Sequence, residues 1–445
     1  MEGNWPKSTI PGMKFPFRHA FLLAALALAA CATPPTAPPA HVAAMPITSS
    51  AVPRPVPLLL ISIDAYRADY LQRQLSPTLE MLAAHGVRAE AMQPSFPSLT
   101  FPNHYTLVTG LYPDHHGIVA NDMYDPVLGA FSIHDRKARN DPRWWDEATP
   151  IWVTADAHGL RTATMFWPGS EAPIHGRYPD QWLPYDGKIT PDQRVDQVLA
   201  WLDAPPAQRP DFITLYFDRV DHAGHDFGPD SPQLDAALRQ NDAALARLVA
   251  GLKVRGLFDR INIIVVSDHG MASVPREHTV LLDRLFPVDG VRVVALGPVA
   301  ELDPRSATAA DQAAFAGIKA RLIAPQQHMQ CWDKTHIPAR LHYGSNPRVP
   351  QLVCMAEVGW RIETQEQIAR RGKPASIGDH GYDNAAPSMR ALFIAEGPSF
   401  RSGLVVPKFP NVDVYPLMLH LLGLPPQHAD GDYDAVAPML RPVAR

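Results

Sequence analysis

Three short, apolar-rich runs in this chain each stop at acidic residues. Leu58 to Ile63 (LLLISI) ends at Asp64, Phe212 to Phe217 (FITLYF) ends at Asp218 and Asp221, and Ile261 to Val266 (INIIVV) passes Ser267 into Asp268 and His269. Runs of this length, without polar alternation, predict strands covered on both faces, as in a parallel sheet. Ala391 to Ile394 (ALFI) is a fourth candidate strand. Between them the 3.6-residue period predicts helices over Ser76 to His85 and Gln233 to Leu252. The second places Leu234, Ala237, Leu238, Leu245, Leu248 and Val249 on one face. Alternation of this kind predicts an α/β fold, a mostly parallel sheet with helices on both faces. In such folds, chemistry gathers at the carboxyl ends of the strands.

Composition narrows the picture. The 445 residues are 46% hydrophobic and 19% charged, enough for one large domain with insertions or for two domains, and too apolar for disorder throughout. A net charge of −5 and the lack of a dominant Lys/Arg block argue against a protein that coats nucleic acid. Forty-seven prolines against 27 glycines suggest stiffened loops.

The N-terminus reads as an address. In MKFPFRHAFLLAALALAAC, Met13 is a better start than Met1, and the apolar stretch Ala20 to Ala30 is too short to span a bilayer. Leu28-Ala29-Ala30-Cys31 looks like a bacterial lipobox, so residues 1–31 are expected to be a lipoprotein-type signal cleaved before a diacylated Cys31. An ordinary secretory signal with an incidental cysteine is the alternative. Either way the protein is expected to be exported, to the periplasm or cell envelope, touching a membrane only through a lipid anchor. Residues 32–57 read as a Pro/Ala-rich tether and 58–445 as a single domain. Cys331 and Cys354 remain, either bonded to each other in an oxidising compartment or two separate buried thiols.

One aspartate at a strand end is ordinarily a helix cap. Three such ends, with histidines nearby and no cysteine, suit Zn²⁺, Mn²⁺ or Fe, and the candidates suffice for two ions. Asp268-His269-Gly270-Met271 sets O and N ligands side by side, and Asp221-His222-Ala223-Gly224-His225 sets Asp and His four apart. Gly378-Asp379-His380-Gly381 holds another histidine between glycines. Pro94 to His104 (PSFPSLTFPNH) reads as a loop feeding a helix. A hydroxyl at that helix start, beside a metal, is a nucleophile toward phosphorus, with free backbone N–H groups to receive phosphate oxygens.

With PSLTFPNHYTLVTGLYPDHHGI, FWPGS (166–170) and SDHGM (267–271), these motifs resemble those of the nucleotide pyrophosphatase/phosphodiesterase family of the alkaline phosphatase superfamily. The resemblance runs from Leu58 to Pro416, except between Ala272 and Arg371, where a variable subdomain is expected. It implies an alkaline-phosphatase-like fold and two zinc ions. One is held by Asp221, His225 and His380, the other by Asp64, Asp268 and His269 with the Thr100 hydroxyl. It implies Thr100 as nucleophile, Asn121 on a phosphate oxygen, and a base slot of Phe101, Tyr185 and Trp167. Arg139 falls near a family lysine only if the alignment takes a gap. The implied activity is that of a phosphoric diester hydrolase. It cleaves nucleotide diesters and pyrophosphates, through a covalent phosphothreonine, to nucleoside 5′-monophosphates, and has no sequence-specific nucleic-acid partner. The rivals are a lysophospholipase C-type enzyme or a phosphomonoesterase on the same metals and, from another class, a nucleotide-capturing surface lipoprotein without turnover. His104, His115, His116, His222 and Asp218 read as structural or supporting.

Overall fold

The computed structural model describes residues 54–371 and 376–442. The signal segment with Cys31, and all but the last residues of the tether, lie outside the described residues. An eight-stranded sheet runs in the order Leu404–Val406, Val87–Ala89, Phe393–Glu396, Asn262–Val266, Leu58–Ile63, Phe212–Phe217, Thr162–Met165 and Gln181–Trp182. The three apolar runs lie side by side and parallel, with Leu58 opposite both Phe212 and Asn262. Their carboxyl ends, and so their acids, therefore open on one edge.

Alternate residues of the central strand feed two cores. Leu58 and Leu60 pack with the Thr100–Thr109 and Val414–Leu421 helices, while Leu59, Ile61 and Ile63 pack with Pro77–His85, Pro191–Leu202 and Pro232–Val254. Each such side chain stabilises the fold by about 1.5–3 kcal/mol. The longest helix starts where Ser231 accepts the Leu234 N–H and Pro232 occupies the first turn. All six residues expected on its inner face are buried.

The fourth expected strand forms two residues later, at Phe393–Glu396, and runs antiparallel to both neighbours. Its chain comes from His380, already at the carboxyl edge of the sheet, and can only run back. Between Val291 and Ala356 the chain builds an antiparallel sheet of its own, in the order Val291–Ala295, Val299–Pro304, Leu352–Ala356, Met329–Asp333. The Ala309–Ile323 helix covers it, and Phe315, Leu322, Leu302 and Leu352 fill its core. Cys331 lies opposite Cys354 across two of these strands and is joined to it by a disulfide.

Candidate active site

Asp64 leaves the Leu58–Ile63 strand, and Ala65 follows with φ 56°, a conformation uncommon outside glycine. That turn points the Ala65 N–H at Asp268 Oδ1, 3.1 Å away. Asp268 and His269 come two residues after the neighbouring strand, Asn262–Val266. Asp221 and His225 stand one turn apart on the Arg219–Phe227 helix. His380 follows the short strand Gly378–Asp379. A Cβ at Gly378 would lie 2.2 Å from the Gly224 carbonyl, so only glycine lets this strand approach the Asp221–His225 helix. Thr100 opens the Thr100–Thr109 helix, after Leu99 in extended conformation.

The predicted ligands converge. His225 Nε2 and His380 Nε2 lie 3.4 and 3.5 Å from Asp221 Oδ1 and 3.1 Å from each other. His269 Nε2 lies 2.9 Å from Asp268 Oδ2, 3.5 Å from Asp64 Oδ1 and 3.2 Å from the Thr100 hydroxyl. Asp64, Asp221 and His269 also offer ligand atoms within 4.8 Å of one another, so the two groups adjoin. All three imidazoles direct Nδ1 at a backbone carbonyl: His225 at Gly378, His269 at Gly270 and His380 at Ser98, at 2.9–3.0 Å. Those bonds orient the rings with Nε2 inward, as second-shell partners of metal ligands do.

These residues fit metal ions. Asp64 Oδ1, Asp221 Oδ1 and Asp268 Oδ2 are buried and, apart from imidazole nitrogens at 2.9–3.5 Å, have no polar partner among the described residues. A buried carboxylate oxygen left so is costly, and a cation satisfies it. Burial, with Asp268 and Asp221 close by, pushes the Asp64 carboxyl well up. Against burial, His269 and His104 hold Asp268 well down. Burial and the nearby His269 push His380 down to about 3, while Asp221 overcomes burial to hold His225 up at about 10. Like charges packed this tightly repel without an ion between them. Oxygen and imidazole donors without sulfur suit Zn²⁺, Mn²⁺ or Fe.

Beside Thr100 opens a cavity of about 260 Å³ lined by Phe101, Phe166, Trp167 and Tyr185, with Arg139 and the exposed His222 also on its wall. Tyr185 is fixed by its hydroxyl, which donates to Asp218 Oδ2 at 2.6 Å, and Asp218 is in turn bound by the buried Arg194 at 2.9 Å. Trp167 is buried and donates its indole N–H to the His104 carbonyl, so it packs as well as lines. Asn121 Oδ1 accepts the Phe101 N–H at 3.0 Å. This corrects the expectation of wholly free amides at the helix start: Asn121 takes one and is left with its own NH₂ to offer.

Two further residues support the ligands, and of these only Tyr216 escaped the sequence reading. The Tyr216 hydroxyl donates to Asp64 Oδ2 at 2.6 Å. His104, read as structural, sets Nδ1 3.3 Å from Asp268 Oδ2 and 2.9 Å from the Thr100 carbonyl, and Nε2 2.8 Å from Ser62 Oγ. With both ring nitrogens engaged, it orients Asp268 and is not free to bind an ion itself. The signal for Tyr216 is its place in the strand: it pairs with Ser62, two residues before Asp64. His116, wedged between Thr106 and the Pro102 carbonyl, is structural, and burial pushes it down to about 3.

The sequence profile described as "Type I phosphodiesterase / nucleotide pyrophosphatase" matches residues 58–383. An uncharacterised pyrophosphatase/phosphodiesterase of Schizosaccharomyces pombe is 38% identical over 390 residues, 86% of this chain and 80% of that one. A venom phosphodiesterase of Crotalus durissus collilineatus is 39% identical over 393 residues, 86% of this chain but 46% of the relative's length. Among solved structures, murine ectonucleotide pyrophosphatase/phosphodiesterase 5, an inactive variant in complex with AMP, superposes with a TM-score of 0.81 at 33% identity, covering 86% of this chain and all of that one. On fold and sequence together, the chain belongs to the type I phosphodiesterase/nucleotide pyrophosphatase family of the alkaline phosphatase superfamily, a family of phosphoric diester hydrolases.

Proposed function

We propose that this protein is a two-zinc phosphodiesterase that releases nucleoside 5′-monophosphates from nucleotide diesters and pyrophosphates, with Thr100 as nucleophile. The observation that carries the reading is the Thr100 hydroxyl, 3.2 Å from His269 Nε2, beside three buried aspartate oxygens that face only imidazole nitrogens. AMP in the murine relative's structure supports a nucleotide as the substrate. Asp221, His225 and His380 would hold one ion, and Asp64, Asp268, His269 and Thr100 the other. Bound there, the ions supply Lewis-acid stabilisation of developing charge and lower the pKa of a hydroxyl.

The chain's own residues do the rest. Thr100 gives up its hydroxyl proton to solvent and Oγ1 attacks phosphorus in line as the bond to the leaving oxygen breaks; that oxygen departs with its electron pair and takes a proton from solvent. The nucleotide is then esterified to Thr100. Water attacks the same phosphorus, the bond to Oγ1 breaks and the hydroxyl regains a proton, so two inversions give net retention. The Asn121 amide donates to a non-bridging oxygen, where charge grows in each transition state. Phe101 and Tyr185 flank the base, a contact that is tolerant of base identity and contributes about 1–3 kcal/mol. Trp167 closes the wall, and Arg139 adds the cavity's positive charge.

The test is an assay on the nitrophenyl ester of thymidine monophosphate and on nitrophenyl phosphate, after chelation and again after zinc is restored. The diester is expected to be strongly preferred and its turnover to return with zinc. Thr100→Ala is expected to lose activity by more than about 10³-fold at unchanged metal content. Full activity in that variant overturns the nucleophile, and preference for the monoester overturns the substrate class. The lipobox-like segment supports export with a lipid on Cys31, and labelling with a radioactive fatty acid should disappear in Cys31→Ala.

A further inference from the structure

Arg348 is a buried cation outside the chemistry proposed above. It belongs to the inserted region, in the loop between the Met329–Asp333 and Leu352–Ala356 strands, yet it is only 5% exposed. Asp114 pins that loop: its carboxylate accepts the N–H groups of Gly344, Ser345 and Asn346 at 2.7–3.0 Å. On the same segment the Tyr343 hydroxyl lies 2.6 Å from Glu301 Oε1 and 3.1 Å from the Val119 carbonyl.

All five N–H groups of the Arg348 guanidinium have a partner. Nε faces Asp125 Oδ2 at 3.2 Å, and Nη1 donates to the Gly117 and Trp144 carbonyls at 2.8 Å each. Nη2 meets the Arg143 carbonyl at 3.2 Å and Glu147 Oε1 at 3.1 Å. Such a set needs the planar fork of arginine, because lysine offers its three donors from one point. Gly117 has φ 79°, and a Cβ there would lie 2.7 Å from Nη1, so the glycine of the HHGI run makes the room.

The partners in turn support the nucleotide side of the site. Asp125 ends the Asp122–Asp125 strand, which follows Asn121 and pairs with Gly129–Ser132. Phe131 on that hairpin packs edge-on against Phe101, ring centres 6.1 Å apart, and lies 5.3 Å from Trp144. Trp145 packs on Phe101 from 6.0 Å. The guanidinium itself sits 5.0 Å from the centre of the Trp144 ring. One cation thereby clamps the hairpin that follows Asn121 and carries Phe131 to the tryptophan pair behind Phe101.

We propose that Arg348 is a positioning residue, which fixes the Phe101 wall of the base slot and the Asn121 amide without lining the aromatic cavity itself. The inference rests on the phosphodiesterase reading above.

The experiment measures kcat and KM of the zinc-loaded full chain on the nitrophenyl ester of thymidine monophosphate and on methyl nitrophenyl phosphate. The two share the reacting diester and the leaving group, and only the first has a base. In Arg348→Lys the ratio of kcat/KM, nucleoside ester over methyl ester, is expected to fall by about fivefold or more, chiefly through KM for the nucleoside ester. In a Phe101→Ala background the same substitution should leave the ratio where Phe101→Ala alone puts it, since the wall being positioned is gone. A merely structural role lowers the active fraction and both rates together, and does not move the ratio. If Arg348→Lys does not fold, Asp125→Asn carries the test: it removes one ionic partner, keeps the shape and should lower the ratio by about threefold. A ratio unmoved in the folded variant overturns the proposal, and so does an equal fall in the Phe101→Ala background. Wild type that turns over both esters without preferring the nucleoside removes the slot and this role with it. No turnover of either removes the phosphodiesterase reading as well.

Discussion

At Asp64 one hydroxyl decides how a ligand is presented. Tyr216 holds Oδ2 at 2.6 Å and leaves Oδ1 facing the proposed ion. Tyr216→Phe should weaken metal binding or activity by about 10–100-fold while the fold persists, measured by competition with a chelator. Glu301 gives a second prediction. Its folded pKa, about 8, lies above the ordinary 4.5, so the folded state holds the extra proton between those values. Its contribution to stability is complete below about pH 4.5 and is lost as pH rises through 8. The slope is at most about 1.4 kcal/mol per pH unit. Glu301→Gln should remove that decline, seen as denaturant midpoints that diverge from the wild type between pH 5 and 8. The ligands themselves were legible because each follows a strand or begins a helix and sits in a dense local motif. Tyr216, Glu301 and the Ser98 carbonyl that orients His380 were not. Their partners are 152, 42 and 282 residues away, and only the folded chain brings them together.

Elements carry the site as much as side chains do. The three apolar runs announced parallel strands because burial on both faces leaves no polar alternation, and the sheet has them adjacent. What the pattern could not announce was direction. An all-apolar run such as ALFI carries no sign of direction, and the antiparallel course of Phe393–Glu396 follows from where the chain has just been. Close approach at Gly378 was legible in kind and not in partner: glycines beside His380 permit tight backbone approach to an ion, and what Gly378 meets is the Arg219–Phe227 helix. Gly378→Ala must separate the two, moving His380 from Asp221 and His225. The expected result is loss of one metal equivalent with secondary structure intact, read by metal analysis and circular dichroism.

Across the whole molecule, the disulfide ties only the small antiparallel sheet. Cys331 and Cys354 close a loop of 23 residues, for which chain entropy gives about 3 kcal/mol. Replacing both by serine should lower the stability of that sheet by about this amount, leaving the metal ligands in place, because none of them lies between Val291 and Ala356. Titration with denaturant, followed by tryptophan emission and by zinc release, should separate the two events.

The close contact at Gly378 also orders events in time. Six of the seven proposed ligands are complete by His269, whereas His380 arrives 111 residues later, past the entire small sheet. A chain emerging from the ribosome therefore carries a full ligand set for the ion beside Thr100 long before it can close the one beside Asp221. Asp64, Thr100, Asp268 and His269 all precede the inserted sheet in the chain. The set proposed for the second ion is completed only when the inserted sheet has been made and the strand behind it docks, so that ion would bind last.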